Sequence, residues 1–189
     1  MLPEITRTDV FRLETKRLWL RWAERRDEAE ISDFAGLEEV ATMTASWPFP
    51  LPPGEVVRRI DWMRQSNSDG RGLAFVIERK PASGRVIGLI GGRPVADAVE
   101  EHGVGYMLAP GHWGQGLMSE ALGAYRDAIF RLTAADRLVA YARTVNPASR
   151  RVLEKAGFRH VATTTMDMPA RGAAIPVDRL ELERALSRQ

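Results

Sequence analysis

Residues 103–122, Gly-Val-Gly-Tyr-Met-Leu-Ala-Pro-Gly-His-Trp-Gly-Gln-Gly-Leu-Met-Ser-Glu-Ala-Leu, constrain the fold more tightly than any other stretch of this chain. Val104 to Ala109 is short, apolar and β-prone, the pattern of a buried strand. Pro110 ends it, and Gly111, Gly114 and Gly116 follow at close spacing. From Leu117 the period changes. Met118, Ala121, Leu122, Tyr125, Ala128, Ile129 and Leu132 recur at three- and four-residue steps and predict a helix to about Leu132. A strand, glycine-rich turn and helix in that order aim unpaired backbone N–H groups and the positive end of a helix dipole at one spot, which suits a phosphate. Two common phosphate motifs fail on spacing. Leu117 and Met118 stand where GxxxxGK[ST] needs a lysine and a hydroxyl, and the glycines read GxxGxG instead of GxGxxG.

The flanking sequence supplies the other elements. Thr15 to Trp22 alternates, with Leu18, Leu20 and Trp22 on one face, and predicts a half-buried strand after a loose arm over residues 1–12. Asp27 is placed to cap a helix carrying Ile31, Phe34 and Leu37, and a short helical segment is expected over Glu38–Thr44. Trp47-Pro48-Phe49-Pro50-Leu51-Pro52-Pro53-Gly54 holds too many prolines for helix or central strand, leaving a stiff extended loop. Its Trp47 and Phe49 either plug a core gap or form a rigid wall of a binding pocket. A helix from Val56 to about Asn67 follows. Strands are expected at 73–79 and 85–91, joined by Pro81-Ala82-Ser83-Gly84, and Asp97 to Glu101 read as an acidic loop. After the central helix come a strand at 138–143, parallel to the central strand, and a helix opened by Asn146-Pro147 and closed by Gly157. Strands at 158–163 and 177–182 are expected, joined by an irregular Thr164–Pro176. The result is a mixed α/β (α+β) chain of one domain over residues 1–189.

Charge and composition exclude several classes. The 27 basic and 25 acidic residues of the 189 are interleaved, as in Arg25-Arg26-Asp27-Glu28, which describes a solvated surface and not a nucleic-acid stripe. With no cysteine, disulfides and thiolate chemistry are excluded. The three histidines, His102, His112 and His160, form no metal-ligand spacing with Asp or Glu, so no metal is expected. No signal peptide and no run of ~20 apolar residues is found, and a cytoplasmic protein with no membrane partner is expected.

Trp113-Gly114-Gln115-Gly116 followed by Glu120-Ala121-Leu122 resembles the acyl-CoA-binding motif of GNAT-type N-acetyltransferases, in particular the branch of ribosomal-protein N-terminal alanine acetyltransferases. Glu14-Thr15-Lys16-Arg17-Leu18 resembles the first strand of that branch, and Asn146-Pro147-Ala148-Ser149 through Gly157-Phe158 resembles its second signature. The resemblance covers roughly residues 13–184. Met118, where the motif ends on a small residue, is a departure. The resemblance implies the GNAT fold, a mostly antiparallel sheet splayed at the centre and flanked by helices. It also implies acetyl transfer from acetyl-CoA to an amine, either a polypeptide N-terminus or a small molecule. A non-catalytic acyl-CoA-binding module of the same fold is the alternative, and a monomer or homodimer is expected.

The residues implied for the coenzyme are Met107, Leu108, Trp113, Gly114, Gln115, Gly116, Leu117, Met118, Ser119, Asn146 and Arg151. Trp47 and Phe49 are implied for the acceptor. Many GNAT enzymes protonate the departing thiolate with a tyrosine where this chain has Leu153, and leucine has no such capacity. Ser149, one helical turn earlier, is the nearest hydroxyl, although a first-turn serine also commonly caps its helix. Relatives often carry a Glu at the position of Gly103. The proton from the attacking amine is therefore assigned to Glu101, to Asp167 or to water, without a choice among them.

Overall fold

The computed structural model describes residues 2–81, 84–95 and 98–184. Ala82 and Ser83 of the expected hairpin loop, and Asp97 of the expected acidic loop, lie outside the described residues. The strands are β1 (Arg12–Glu14), β2 (Leu18–Arg21), β3 (Leu73–Arg79), β4 (Val86–Val95), β5 (Ala98–Leu108), β6 (Arg137–Arg143), β7 (Arg159–Met168) and β8 (Ala173–Glu183). They form one sheet in the order β1-β2-β3-β4-β5-β6-β8-β7. Every neighbouring pair is antiparallel except β5 and β6, which the crossover helix makes parallel. The helices are α1 (Glu28–Ala35), α2 (Glu38–Ala41), α3 (Glu55–Ser68), α4 (Leu117–Leu132) and α5 (Pro147–Lys155).

Two cores sandwich the sheet. The β3 run Leu73–Glu78 is buried throughout because it faces both. Leu73, Phe75 and Ile77 join α4 and α5 through Leu117, Leu122, Tyr125 and Leu153. Ala74 and Val76 point the other way, to Ile31, Phe34, Val56 and Ile60 of α1 and α3. Alternation along β5 divides it likewise, with Val104 and Leu108 on the α4 side and Met107 on the α1 side.

Several expectations are corrected. The glycine pair Gly91-Gly92 looks like a strand end, yet β4 runs on to Val95, and Ala98–Glu101 belong to β5 and not to a loop. Neighbours press too close for a side chain here: a Cβ on Gly92 would lie 1.8 Å from Gly103 O, and one on Gly91 would lie 2.8 Å from Ala74 Cβ. Thr164–Pro176 is no irregular loop either, because β7 and β8 pair out to Met168↔Ala173. Pro176 is tolerated because the β6–β8 ladder ends at Arg143↔Val177, so its missing N–H removes no ladder bond.

Residues 1–12 are no loose arm over their described part. Leu2 is buried in the α4-side core, its N–H bonds Gly70 O, and the Arg7 guanidinium holds its carbonyl. Thr15 to Arg17 form the turn between β1 and β2 and are not part of a strand. Asp27 makes no side-chain cap for α1. Instead it is buried, accepts two hydrogen bonds from Arg21 at 2.9 Å, and accepts a third from the Glu24 N–H at 2.8 Å.

Candidate functional site

β5 and β6 begin as a parallel pair and then part. The matched residues are Glu101↔Arg137, His102↔Leu138 and Gly103↔Val139, and none beyond. From Val104 to Leu108, β5 keeps only β4, while Ala140 to Arg143 of β6 keep only β8. A wedge therefore opens at Gly103. The Ala109 N–H turns to Ile87 O on β4. By two-residue alternation the Met107 N–H also faces β4, leaving the amides of Val104, Tyr106 and Leu108 toward the wedge. Of the two residues of this strand implied for the coenzyme, Leu108 therefore turns its N–H to the wedge and Met107 does not; the Met107 side chain lies in the α1-side core.

The wedge runs directly into the glycine turn. After Leu108 come a 3₁₀ turn at Pro110–His112, Trp113, and then Gly114 and Gly116, both at φ +72°. Those left-handed angles fold the chain back so that Gly116 precedes α4. The first α4 hydrogen bond is made by the Glu120 N–H to Gly116 O, and no side chain caps the helix. The amides of Leu117, Met118 and Ser119 thus project from an uncapped helix start, and a Cβ at Gly114 would meet nothing within 4 Å. This open, positive end fits a pyrophosphate. The Leu117 and Met118 side chains are buried in the core, so the large Met118 does not crowd the turn. Trp113 is half exposed and fixes the turn by donating its indole N–H to Leu108 O at 2.7 Å.

A brace from the β1–β2 turn holds this loop. Arg17 donates to Gln115 O at 2.9 Å and to Glu120 Oε2 at 2.6 Å, and Thr15 donates to Glu120 Oε1 at 2.6 Å. Burial opposes the Glu120 charge, but the Thr15 and Arg17 hydrogen bonds outweigh it and hold the carboxyl below its ordinary pKa. Arg79 reaches the Gln115 side chain at 3.3 Å. Burial, with a smaller push from Arg79 and Arg85 nearby, holds the His112 imidazole below its ordinary pKa. The Arg17–Glu120 pair sits inside the quoted motifs, but nothing in the sequence shows that the two motifs touch.

Across the wedge stands the start of α5. Asn146 caps it, accepting the Ser149 N–H at 3.0 Å, so its side-chain oxygen is committed to the helix. The Ser149 hydroxyl lies 3.0 Å from the Tyr106 hydroxyl, which also reaches Ser149 O at 3.1 Å. Burial raises the Tyr106 phenol above its ordinary pKa, with the Ser149 hydrogen bond pulling the other way. Tyr106 carries no signal of this role in the sequence, because an aromatic in an apolar strand reads as core. Leu153 is buried, the physical reason for an apolar residue at its position, and Arg151 is exposed on α5. Behind α5, the buried Asp178 receives Thr163 at 2.6 Å and Arg150 at 3.1 Å and ties the helix to β8.

The two expected proton acceptors stand apart. Glu101 lies just before the wedge opens, and its oxygens are taken by Arg137 at 3.0 Å and Arg179 at 3.2 Å. Asp167 is exposed on β7 opposite Ala174, well out along the hairpin and not in a loop. The aromatics of the proline loop divide. Trp47 is buried in the α1-side core beneath the Arg59 guanidinium at 4.3 Å, whereas Phe49 is 40% exposed. Among the described residues no group of three or more His, Asp or Glu side chains gathers to hold a metal ion, and no helix is long and apolar enough to cross a membrane.

Comparison with known proteins gives a consistent result. Residues 17–159 match the model of the GNAT acetyltransferase domain. The N-acetyltransferase YoaA of Bacillus subtilis, itself uncharacterised, is 29% identical over 156 residues, covering 78% of this chain and 82% of that protein. A Vibrio cholerae structure described as a ribosomal-protein-serine acetyltransferase superposes with a TM-score of 0.80 at 17% identity, covering 94% and 99% of the two chains. Mycobacterium smegmatis RimJ, solved with a CoA disulfide, superposes at 0.75 with 24% identity, covering 91% of this chain and 84% of its own.

Proposed function

This chain belongs to the GNAT acetyltransferase family, and from that premise we propose that it transfers acetyl directly from acetyl-CoA to an amine bound at the wedge between β5 and β6. In this reading the pyrophosphate rests on the amides from Gly114 to Ser119, and the acyl arm takes the strand position that β6 vacates. The observation that carries it is the end of β5–β6 pairing at Gly103, on the strand that feeds the uncapped start of α4.

The reacting amine must be neutral. An α-amino group of pKa ~8 is about one-tenth neutral at pH 7, and a lysine side chain of pKa ~10.4 less than about a thousandth. With Glu101 engaged by Arg137 and Arg179, and Asp167 exposed, neither acid is a dedicated buried base. That arrangement favours α-amine acceptors, which lose their proton to water. Attack forms the N–C bond and breaks the C–S bond. Negative charge develops first on the thioester oxygen, opposite the Leu108 N–H, and then on sulfur. A thiol of pKa ~8.5 leaves without full protonation, so a hydroxyl hydrogen bond is enough to help it. Ser149, joined to Tyr106, supplies that bond.

The test is thiol release from acetyl-CoA over a panel of amines that includes peptides with different first residues. Release that depends on the amine, fastest with α-amines, is expected. Acetyl-CoA binding without release for any amine would overturn the catalytic reading in favour of a binding module.

A further inference from the structure

Most buried or half-buried arginines of this protein face a carboxylate. Arg21 has Asp27 and Glu78, Arg137 and Arg179 share Glu101 and Glu181, and Arg150 has Asp178. Arg143 and Arg171 do not, and neither does Arg7, which holds the Leu2 carbonyl far from the wedge strands. Arg143 ends β6, at the open end of the wedge, and donates to Thr42 O at 2.6 Å. Arg171, in the turn joining β7 to β8, donates to Ala41 O at 3.0 Å and to Trp47 O. The Nε of each is buried without a hydrogen-bond partner, and no ion pair to either occurs among the described residues. Burial, with Arg143 close by, lowers the Arg171 pKa.

The position of this pair matters. Leu138, Ala140 and Ala142 face the α4-side core, so Arg143 stands on the opposite face of the sheet. That is the face onto which α2 and the proline loop fold. Three elements, the end of β6, the β7–β8 turn and the α2 loop, thus bring two guanidinium groups together at the open end of the wedge, on the α1 side of the sheet. Backbone carbonyls satisfy some of their N–H groups but cancel no charge. Two guanidinium groups held on the adjacent carbonyls of Ala41 and Thr42, with no carboxylate beside them, lack the planar anion that a guanidinium fork matches best.

We propose that Arg143 and Arg171 bind an anionic group, a carboxylate or a phosphate, on the amine acceptor. This rests on the acetyltransferase reading and narrows it to α-amines whose molecule also carries an acid. The acceptor then approaches from the α2 side, with its acid on the arginine pair and its amine toward the wedge.

Matched acceptors test this. Peptides beginning Ala-Asp or Ala-Asn, and O-phosphoserine and serine, differ chiefly in the acid, and free amino acids are compared with their amides at equal concentrations of neutral amine, because a carboxylate beside the amine raises its pKa. The acidic member of at least one pair is expected to show kcat/KM about tenfold or more above its neutral partner, and the pair that responds distinguishes carboxylate from phosphate. Arg143→Gln and Arg171→Gln should each bring that ratio close to one, and Arg143→Lys should retain part of it, with acetyl-CoA affinity checking that the fold survives. Calorimetry of the same acids and amides on the CoA-loaded protein adds a readout free of turnover. Acids that bind more tightly, and lose the advantage in both glutamine variants, support the site even if no amine is acetylated, in which case only the transferase reading falls. Equal binding and equal kcat/KM within every pair, or a preference that both variants keep, overturns the proposal.

Discussion

The Tyr106 hydroxyl lies 3.0 Å from the Ser149 hydroxyl, so a side chain of the central strand closes onto the helix across the wedge. Neither residue alone explains the contact. The parting of β5 from β6 makes the gap, and the Asn146 cap sets the first turn of α5 at the height where a phenol can reach it. If this pair meets the departing sulfur, Ser149→Ala lowers kcat at least about tenfold with little change in acetyl-CoA affinity, within the range positioned proton donors supply. Tyr106→Phe acts in the same direction, and the double variant costs less than the product of the two because they work as one unit. Steady-state kinetics checks this. A kcat for Ser149→Ala within about twofold of the parent would show that the thiolate leaves without it.

Gly116→Val tests the coenzyme turn. A Cβ there has room, 3.6 Å from Arg17 Nη2, but φ is +72° and a β-branched residue is strained at that angle. The turn, not the core, must then give way. The expected outcome is CoA binding below calorimetric detection with a near-normal far-ultraviolet spectrum. Near-normal affinity would place the pyrophosphate elsewhere.

The proline loop separates stability from recognition. Trp47→Ala empties a buried site and is expected to cost about 3–5 kcal/mol in denaturant unfolding. Phe49→Ala removes a ring that is 40% exposed, so it should cost far less and instead raise KM for the amine more than for acetyl-CoA. Unchanged amine kinetics for Phe49→Ala would remove it from the acceptor wall.

Acid should destabilise the fold through His102. Its ring is buried, and Nε2 lies 3.1 Å from the Tyr125 hydroxyl, which donates to Leu73 O at 2.9 Å. Burial lowers its pKa from 6.5 to about 4. Above pH 6.5 the ring is neutral folded or unfolded, and nothing is lost. Between pH 6.5 and 4 only the unfolded chain takes up the proton, so stability falls as pH falls, by about 3 kcal/mol in all. His102→Gln should remove that part of the slope in urea titrations across this window. An unchanged slope would mean that His102 titrates normally.

How much of this could be read in the residues depends on the range of the interaction. The α4 boundaries, Leu117–Leu132, follow from local periodicity and glycine spacing, and the observed helix begins and ends there. Strand ends are not legible where a breaker residue is tolerated by its neighbours. Gly92 lets β4 pass close to Gly103 O, and Pro176 sits just past the end of the β6 ladder, facts of pairing that no local window contains. At the site, the glycine turn and Ser149 belong to contiguous motifs. Tyr106, Arg17, Arg143 and Arg171 matter through partners tens of residues away, and each is an ordinary strand or turn residue in its own context.

Acetyl-CoA seated in the wedge and in the turn that continues it would cover particular amides, and residue-resolved hydrogen exchange with and without acetyl-CoA reads them one by one. Slowed exchange is expected at Tyr106 and Leu108 and at the amides from Gly114 to Ser119, with little change at Met107, whose N–H turns to β4. Unaltered exchange at Tyr106 and Leu108, with protection confined to other parts of the chain, would contradict it.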